Sequence, residues 1–379
     1  MYRYLAIYIT VGYIIPIILF SENLIGIGSA CIMAPLISFY LPSIFITSKA
    51  PPLDRRGSLN SNKNQILIVF FLYLISRMPL IFLIIPKILD GSYYQYALEL
   101  TIQRYETGGN PEAESKFATI MLIIYAVFLG RIEKKPTRLI YIQIIIIFLI
   151  ESSALARAGI VLAFFAFMSE TIIKQNYLFS KINHSQYAKF FLYSLLILSL
   201  IFLYSAIGRM QDEDSDFIKS EIINRFAIYT IAIYSALTNW ANSFGVPILP
   251  SSFGYHTFTF AYKLTGANVP QGMYEMILTQ YGETNVFTII RGLLSDYGLI
   301  LSSIMMSIIG VKIKKWTCVR MNIIEHFIAR NIIYIICSII ISPFNFTTVF
   351  FGYNIAFLLL ILISKYKSSP TNNLHNAIN

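Results

Sequence analysis

Residues 65–86 read QILIVFFLYLISRMPLIFLIIP, and this stretch decides the class of fold. It is long enough to cross the hydrocarbon core of a bilayer as a helix, which takes about 20 apolar residues. Similar apolar stretches recur along the whole chain, and lipid forces them to be helical because every backbone polar group must be satisfied internally. The predicted spans, about ten in number, cover roughly 4–20, 24–47, 65–86, 117–132, 139–155, 159–174, 190–208, 290–311, 331–344 and 349–364.

The composition excludes an ordinary soluble protein. The chain has 379 residues, of which 56% are hydrophobic and only 13% are charged, whereas a soluble chain is about a quarter charged. Its three cysteines predict neither a disulfide framework nor a metal site. Because the first apolar run leads directly into a second, we expect no cleavable signal peptide.

The positive charges segregate along the chain. Nineteen of the 29 Lys and Arg residues lie in alternate gaps between the apolar stretches, together with only four acids. The remaining ten bases and fifteen acids lie in the other gaps or within the apolar stretches, so the net charge of +10 divides into +15 and −5. This is the positive-inside pattern of a multi-pass protein with cytoplasmic termini. Nucleic-acid binding is excluded because these bases are scattered over short loops near anionic lipid.

The fold class predicted is an all-α polytopic membrane protein, with a single integral membrane domain over 1–379. Residues 87–116 form a first large outer loop, and 209–289 form the main outer loop between spans seven and eight. Within the latter, 226–245 are nearly apolar. We interpret them as a re-entrant or interfacial helix with Trp240 at headgroup level, because a further span would turn the basic gap 312–330 outward, against the charge rule.

Arg77 is the most deeply placed charge in the predicted membrane region, immediately before Met78 and Pro79. An arginine at the centre of a spanning helix costs at least roughly 2.5–3.5 kcal/mol on insertion scales. It should therefore face the interior of the bundle and have a partner. The sequence leaves two interpretations open, contact with an anionic ligand or a structural ion pair with an unidentified acid.

Other arginines on the outer side are not explained by topology. Arg157 lies in a tight outer turn, Arg209 closes span seven, Arg225 follows an acidic stretch, and Arg291 opens span eight. A guanidinium is a planar fork of donors that matches phosphate oxygens. One such residue alone could anchor a helix at the lipid interface, whereas several converging arginines would bind a diphosphate. The diphosphate-binding candidates are Arg77, Arg157, Arg209, Arg225 and Arg291.

Three residues of the outer region are candidates for a general base. His256 can accept a proton from a hydroxyl near neutral pH, and Glu283 and Asp296 are the best-placed carboxylates. The acidic run at 212–216 could ligate a hard cation, but an exposed acidic loop is its commoner explanation. We predict no metal and no cofactor.

Several short motifs recur in one known family. Residues 284–288 read Thr-Asn-Val-Phe-Thr and precede Asp-Tyr-Gly at 296–298. Residues 157–159 read Arg-Ala-Gly, 208–209 read Gly-Arg, and 254–260 read Gly-Tyr-His-Thr-Phe-Thr-Phe. With the predicted spans and the dominant outer loop, these motifs resemble the O-antigen polymerase (Wzy) family, the polymerases of oligosaccharide repeat units.

The resemblance implies a glycosyltransferase of the bacterial inner membrane. Its substrate would be an undecaprenyl-diphosphate-linked oligosaccharide, and the growing glycan would pass from its lipid carrier to a new lipid-linked repeat at the periplasmic face. The outer arginines would stabilise the departing diphosphate without a metal, and a candidate base would activate the acceptor hydroxyl. Membrane lipid and a chain-length regulator membrane protein are the implied partners.

Three alternatives remain at this stage. An O-antigen ligase uses the same lipid donor but delivers the glycan to lipid A core, and its longer His-to-Thr-Arg pattern is not evident after His256. A non-catalytic flippase of the lipid-linked unit should place charges at several depths, whereas here only Arg77 is deep. A membrane acyltransferase would carry an early His/Asp motif, which this sequence lacks.

Overall fold

The structure, a computed structural model, is mostly helical. Its packing divides the chain into two compact units, Met1–Pro52 with Phe179–Thr347 and Leu53–Leu178 with Thr348–Asn379. The second unit thus combines residues 53–178 with the last described helix of the chain. The described residues are 2–20, 26–41, 59, 61–93, 95–96, 99, 115–132, 137–153, 157–178, 227, 232–252, 254–258, 262, 265–266, 276–280, 282–285, 288–316, 321–338 and 347–367.

The first unit is built around two helices that both pack on a third, central one. Its elements are α1 (Tyr2–Ile9), a π-helical turn (Thr10–Ile14), α2 (Ile15–Phe20), α3 (Ile27–Ser38), α8 (Ala232–Phe244), β1 (Met276–Thr279), β2 (Gly282–Asn285), α9 (Ile289–Trp316) and α10 (Ile323–Cys337). Helix α3 packs against both α8 and α9, and α1 packs against α10. The Asn242 side chain accepts a hydrogen bond from the backbone N–H of Gly28 at 2.8 Å, which fixes the end of α8 on the start of α3.

The second unit has α5 at its centre. Its elements are α4 (Lys63–Leu89), α5 (Lys116–Gly130), α6 (Arg138–Ser153), α7 (Arg157–Leu178) and α11 (Thr347–Lys367). Helix α5 packs against α4 and α7, and α6 touches the same two helices. The start of α4 is set by a capping box, in which Asn62 and Gln65 exchange side-chain to backbone hydrogen bonds of 2.8 and 2.9 Å.

Two described helices, α4 and α9, are long and apolar enough to cross a membrane. Helix α4 has 27 residues and a mean hydropathy of 2.4 over its best window, of which only 33% is buried. Its outward side chains are large and apolar, with Ile75 63% and Phe82 69% exposed. A core helix of a soluble protein would bury such side chains. The feature therefore supports contact with lipid.

One sequence expectation needs correction. The charge pattern predicts a basic loop over 312–330, but α10 begins at Ile323, where Asn322 and Glu325 form a capping box. Arg330 is consequently fully buried within α10 and does not lie in a loop. The predicted all-α class is confirmed in the main, since the described residues are mostly helical, and β1 and β2 form one short antiparallel hairpin within 209–289.

Helix α8 covers the centre of the apolar segment at 226–245. It has 13 residues, hence a length of about 20 Å, which is shorter than the roughly 30 Å hydrocarbon core. Most of its side chains are buried, including Tyr234 and Trp240, and it packs against α2, α3 and both strands. This favours a helix enclosed by protein over one that lies on the lipid surface.

Arg77 lies in the middle of α4 and forms an ion pair with Glu151 of α6. Its Nε donates to Glu151 Oε1 at 2.7 Å and its Nη2 donates to Oε2 at 2.8 Å, while the Tyr73 hydroxyl donates to Oε1 at 2.8 Å. The two charged side chains are only 3% and 1% exposed. Because Glu151 neutralises the guanidinium and binds it bidentately, Arg77 is withdrawn from the diphosphate-binding candidates.

Replacing Arg77 with Ala should destabilise the protein by about 3–5 kcal/mol, because Glu151 is then left as a buried unpaired charge. The double variant Arg77→Met with Glu151→Met should recover most of this loss, since it removes both charges and keeps the volume. Unfolding of the purified proteins in detergent would measure both effects. Equal destabilisation by the single and the double variants would contradict the pairing.

Candidate functional site

Helix α9 is interrupted at Gly298. This residue has φ +67° and ψ 179°, which is not a helical conformation and is one that side-chain-bearing residues essentially never adopt. A Cβ atom at this position would lie 2.7 Å from the carbonyl oxygens of both Ile248 and Leu249. Glycine is therefore required here twice, for the backbone conformation and for the close approach of a second chain segment.

The approaching segment, 247–252, satisfies the backbone groups that the interruption frees. The N–H of Leu299 donates to the Pro247 carbonyl at 2.8 Å, and the N–H of Ser251 donates to the Asp296 carbonyl at 2.9 Å. Ser302 bridges the interruption with a hydroxyl that donates to the Leu293 carbonyl at 2.8 Å. Such replacement bonds are what allow a broken helix to persist at membrane depth.

The carboxylate of Asp296, which lies just before the interruption, is fully buried and holds the turn at 252–257. It accepts the backbone N–H of His256 at 3.0 Å and that of Thr257 at 2.6 Å. It also accepts the Ser252 hydroxyl at 2.5 Å. With its oxygens bound in this way, Asp296 is better suited to positioning His256 than to removing a proton from a substrate.

His256 is the best-placed candidate for a general base among the described residues. Its side chain is half-buried, and burial lowers the pKa of His256 from its ordinary value of 6.5. The positive charge of Arg291 lowers this pKa further, while the negative charge of Asp296 acts in the opposite direction, more strongly than Arg291 but less than burial. A histidine with a lowered pKa is mostly neutral at pH 7 and can accept a proton.

Arg291 lies near His256 at the beginning of α9. Its backbone N–H donates to the Thr288 hydroxyl at 3.2 Å, so Thr288 caps the helix. Its guanidinium carbon lies 5.2 Å from the centre of the Trp240 ring on α8. A guanidinium held on an aromatic ring is pre-oriented and can direct its N–H groups toward an anion.

Thr257 adds a buried hydroxyl against the first turn of α9, next to Gly292. The Thr257 side chain is 3% exposed, and its Oγ1 has no hydrogen-bond partner among the described residues. The hydroxyl lies 3.4 Å from the position that a Cβ atom of Gly292 would take, directly after Arg291 in α9. A buried hydroxyl of this kind is a candidate donor to a bound ligand.

The structure brings together three of the residues that the sequence singles out, namely His256, Asp296 and Arg291. Glu283 lies in β2 opposite Leu278, on the hairpin that packs against α8. Arg157 begins α7 in the second unit. The side chains of Glu283 and Arg157 are not described, and Arg209 and Arg225 lie outside the described residues, so their predicted roles stay predictions.

Sequence reasoning misses the residues that organise the site. It predicts that Trp240 lies at the lipid interface, whereas the Trp240 ring lies against the Arg291 guanidinium. It also gives no role to Ser252 or to the interruption at Gly298. A glycine directly after Asp-Tyr within an apolar helix is the available signal for the interruption. The pairing of Trp240 with Arg291 has no local signal because the two lie on different helices.

No protein-family model, curated protein or solved structure matches this chain.

Gly298→Ala should destabilise the first unit by at least about 1–3 kcal/mol from backbone strain, and further through collision with two carbonyl oxygens. Gly245→Ala is the matched control, because Gly245 also has a positive φ of +73° but a Cβ atom there would meet no other atom within 4 Å. Thermal unfolding of both variants would measure the difference. A Gly298→Ala protein as stable as the Gly245→Ala protein would contradict the packed interruption.

Proposed function

We propose that the chain is a glycosyltransferase that polymerises undecaprenyl-diphosphate-linked oligosaccharide repeat units, as in the O-antigen polymerase family. The observation that carries the proposal is the grouping of a half-buried histidine, His256, with a buried arginine, Arg291, beside an interrupted helix. The motifs that resemble the family, 254–260, 284–288 and 296–298, supply or adjoin these residues.

The proposed reaction uses the two residues for opposite tasks. An acceptor hydroxyl attacks the anomeric carbon of the sugar that attaches the growing glycan to its carrier. The bond from that carbon to the diphosphate oxygen breaks, and undecaprenyl diphosphate leaves with the electron pair. His256 accepts the proton of the hydroxyl, and Arg291 stabilises the negative charge that builds on the diphosphate. No metal is needed in this scheme.

Asp296 and Thr257 have supporting tasks in this proposal. Asp296 is a positioning residue, since its carboxylate holds the backbone N–H groups of His256 and Thr257. The Thr257 hydroxyl, which lies against Gly292 in the first turn of α9, is a second donor for the diphosphate. Glu283 remains a candidate base, and Arg157, Arg209 and Arg225 remain candidate contacts to the diphosphate.

The proposed setting is the bacterial inner membrane, with about ten spans and both termini in the cytoplasm. The two long apolar helices and the outward apolar surface of α4 support a membrane location. The segregation of Lys and Arg supports the topology, which puts His256 on the periplasmic side. A chain-length regulator membrane protein is the proposed partner.

Arg291→Ala should lower the rate of glycan extension about 10²–10³-fold, the usual effect of removing one donor that stabilises transition-state charge. Arg291→Lys should restore part of the rate, because it keeps the positive charge but loses the planar set of N–H donors of the guanidinium. Lys315→Ala, an exposed base on the same helix, should extend glycan normally. Glycan gels would measure chain length, with immunoblots of membrane fractions as the check on insertion. Normal long chains with Arg291→Ala would contradict the diphosphate role.

Deletion of the gene separates the polymerase from its alternatives. Lipid A core that carries a single repeat unit is the expected product. Core that carries no repeat at all would contradict a polymerase and point to a ligase or a flippase, which the location of the accumulated lipid-linked unit then distinguishes.

The pH dependence of glycan extension should report the protonation of His256. Because burial lowers its pKa, the rate should fall only below pH 6.5, where the base becomes protonated. Arg291→Ala removes the positive charge that lowers this pKa, so the acid limb of its residual activity should move to higher pH. Arg291→Lys keeps the positive charge and should leave the limb in place. An unchanged limb in Arg291→Ala would contradict His256 as the base.

A further inference from the structure

Three aromatic rings lie in sequence at the edge of the site. The Tyr255 and His256 ring centres are 5.2 Å apart with planes at 85°, and the Tyr255 and Tyr262 ring centres are 5.5 Å apart with planes at 72°. Each ring is thus nearly perpendicular to its neighbour. The arrangement places two tyrosine rings beside the proposed base.

The backbone fixes the position of these rings. Gly254, with φ +99°, allows the chain to turn, and the N–H of Tyr255 donates to the Ser252 carbonyl at 3.2 Å. The Tyr262 hydroxyl donates to the same carbonyl at 3.4 Å. Ser252 is itself bound to Asp296 through its hydroxyl. The tyrosines are therefore held on the same turn that positions His256.

These three rings are more exposed than the other residues of the site. Tyr255, His256 and Tyr262 are partly exposed, whereas Arg291 and Thr257 are buried. A tyrosine offers an apolar ring face and a polar hydroxyl at its rim. This combination suits a sugar, which has apolar C–H faces and hydroxyls around its edge.

We infer that Tyr255 and Tyr262 form the subsite for the acceptor sugar, with one ring face against the sugar and its attacking hydroxyl directed to His256. The inference rests on the proposed function, because a base must lie within about 2.6–3.2 Å of the hydroxyl that it deprotonates. The sugar next to Tyr255 is the one that His256 can reach. Tyr255 and Tyr262 then determine which acceptor is used, separately from the arginine that holds the donor diphosphate.

Binding of simple sugars tests this subsite without turnover. The full-length protein in detergent would be titrated with methyl glycosides of glucose, galactose, rhamnose and N-acetylglucosamine, and followed by saturation-transfer difference NMR. At least one glycoside should bind, and Tyr255→Ala and Tyr262→Ala should each weaken that binding about tenfold through the lost ring contact. Tyr255→Phe, which keeps the ring, should bind within about twofold of the unmodified protein.

A matched control is Tyr141→Ala on α6, because Tyr141 is 56% exposed and far along the chain from the turn. This variant should bind glycosides normally. Failure of every glycoside to bind the unmodified protein, or equal binding by the Tyr255→Ala and Tyr141→Ala proteins, would overturn the subsite. Weaker binding of farnesyl diphosphate, but not of glycosides, in the tyrosine variants would overturn it too, in favour of a lipid contact.

The same measurements separate this inference from the proposed function. Glycoside binding that depends on Tyr255, together with normal long-chain glycan in the Arg291→Ala strain, would retain the sugar subsite and remove the polymerase. Glycoside binding that is unchanged in the Tyr255→Ala protein, together with loss of long chains in the Arg291→Ala strain, would retain the polymerase and remove the subsite.

Discussion

The buried carboxylate of Asp296 is the interaction on which the site depends. It lies just before the interruption of α9 at Gly298 and binds the turn that contains His256. A buried carboxylate is costly unless its oxygens accept hydrogen bonds, and here two backbone N–H groups and the Ser252 hydroxyl supply them. The interruption and the turn therefore stabilise each other, and together they fix His256 close to Arg291.

Sequence reasoning could identify the principal chemical groups of this site but not their connections. His256, Asp296 and Arg291 stand out because each is a charged or titratable residue in an otherwise apolar or outer segment. Their roles follow only from contacts between segments that are about 40 residues apart. A carboxylate that could have been a base is bound by backbone N–H groups, which no pattern in the sequence specifies.

The same limit applies to the second unit. Apolar length predicts the helices, and capping residues such as Asn62 mark where they begin. The depth of Arg77 predicts that it needs a partner, but its partner Glu151 is 74 residues away. Counting charges by gap also groups Arg131 and Arg330 with the bases that lie between the apolar stretches, although both are buried. The count of charges indicates on which side of the membrane a segment should lie, whereas the burial of each side chain depends on tertiary packing.

Amide hydrogen exchange of residues 251–258 tests the central claim most directly. In the unmodified protein these amides should exchange slowly, because the carboxylate and the backbone carbonyl of Asp296 accept hydrogen bonds from several of them. In Asp296→Asn the same peptide should exchange much faster, while peptides from 303–316 of α9 keep their protection. Exchange at the rate of a free loop in the unmodified protein, or no change on Asp296→Asn, would contradict the account.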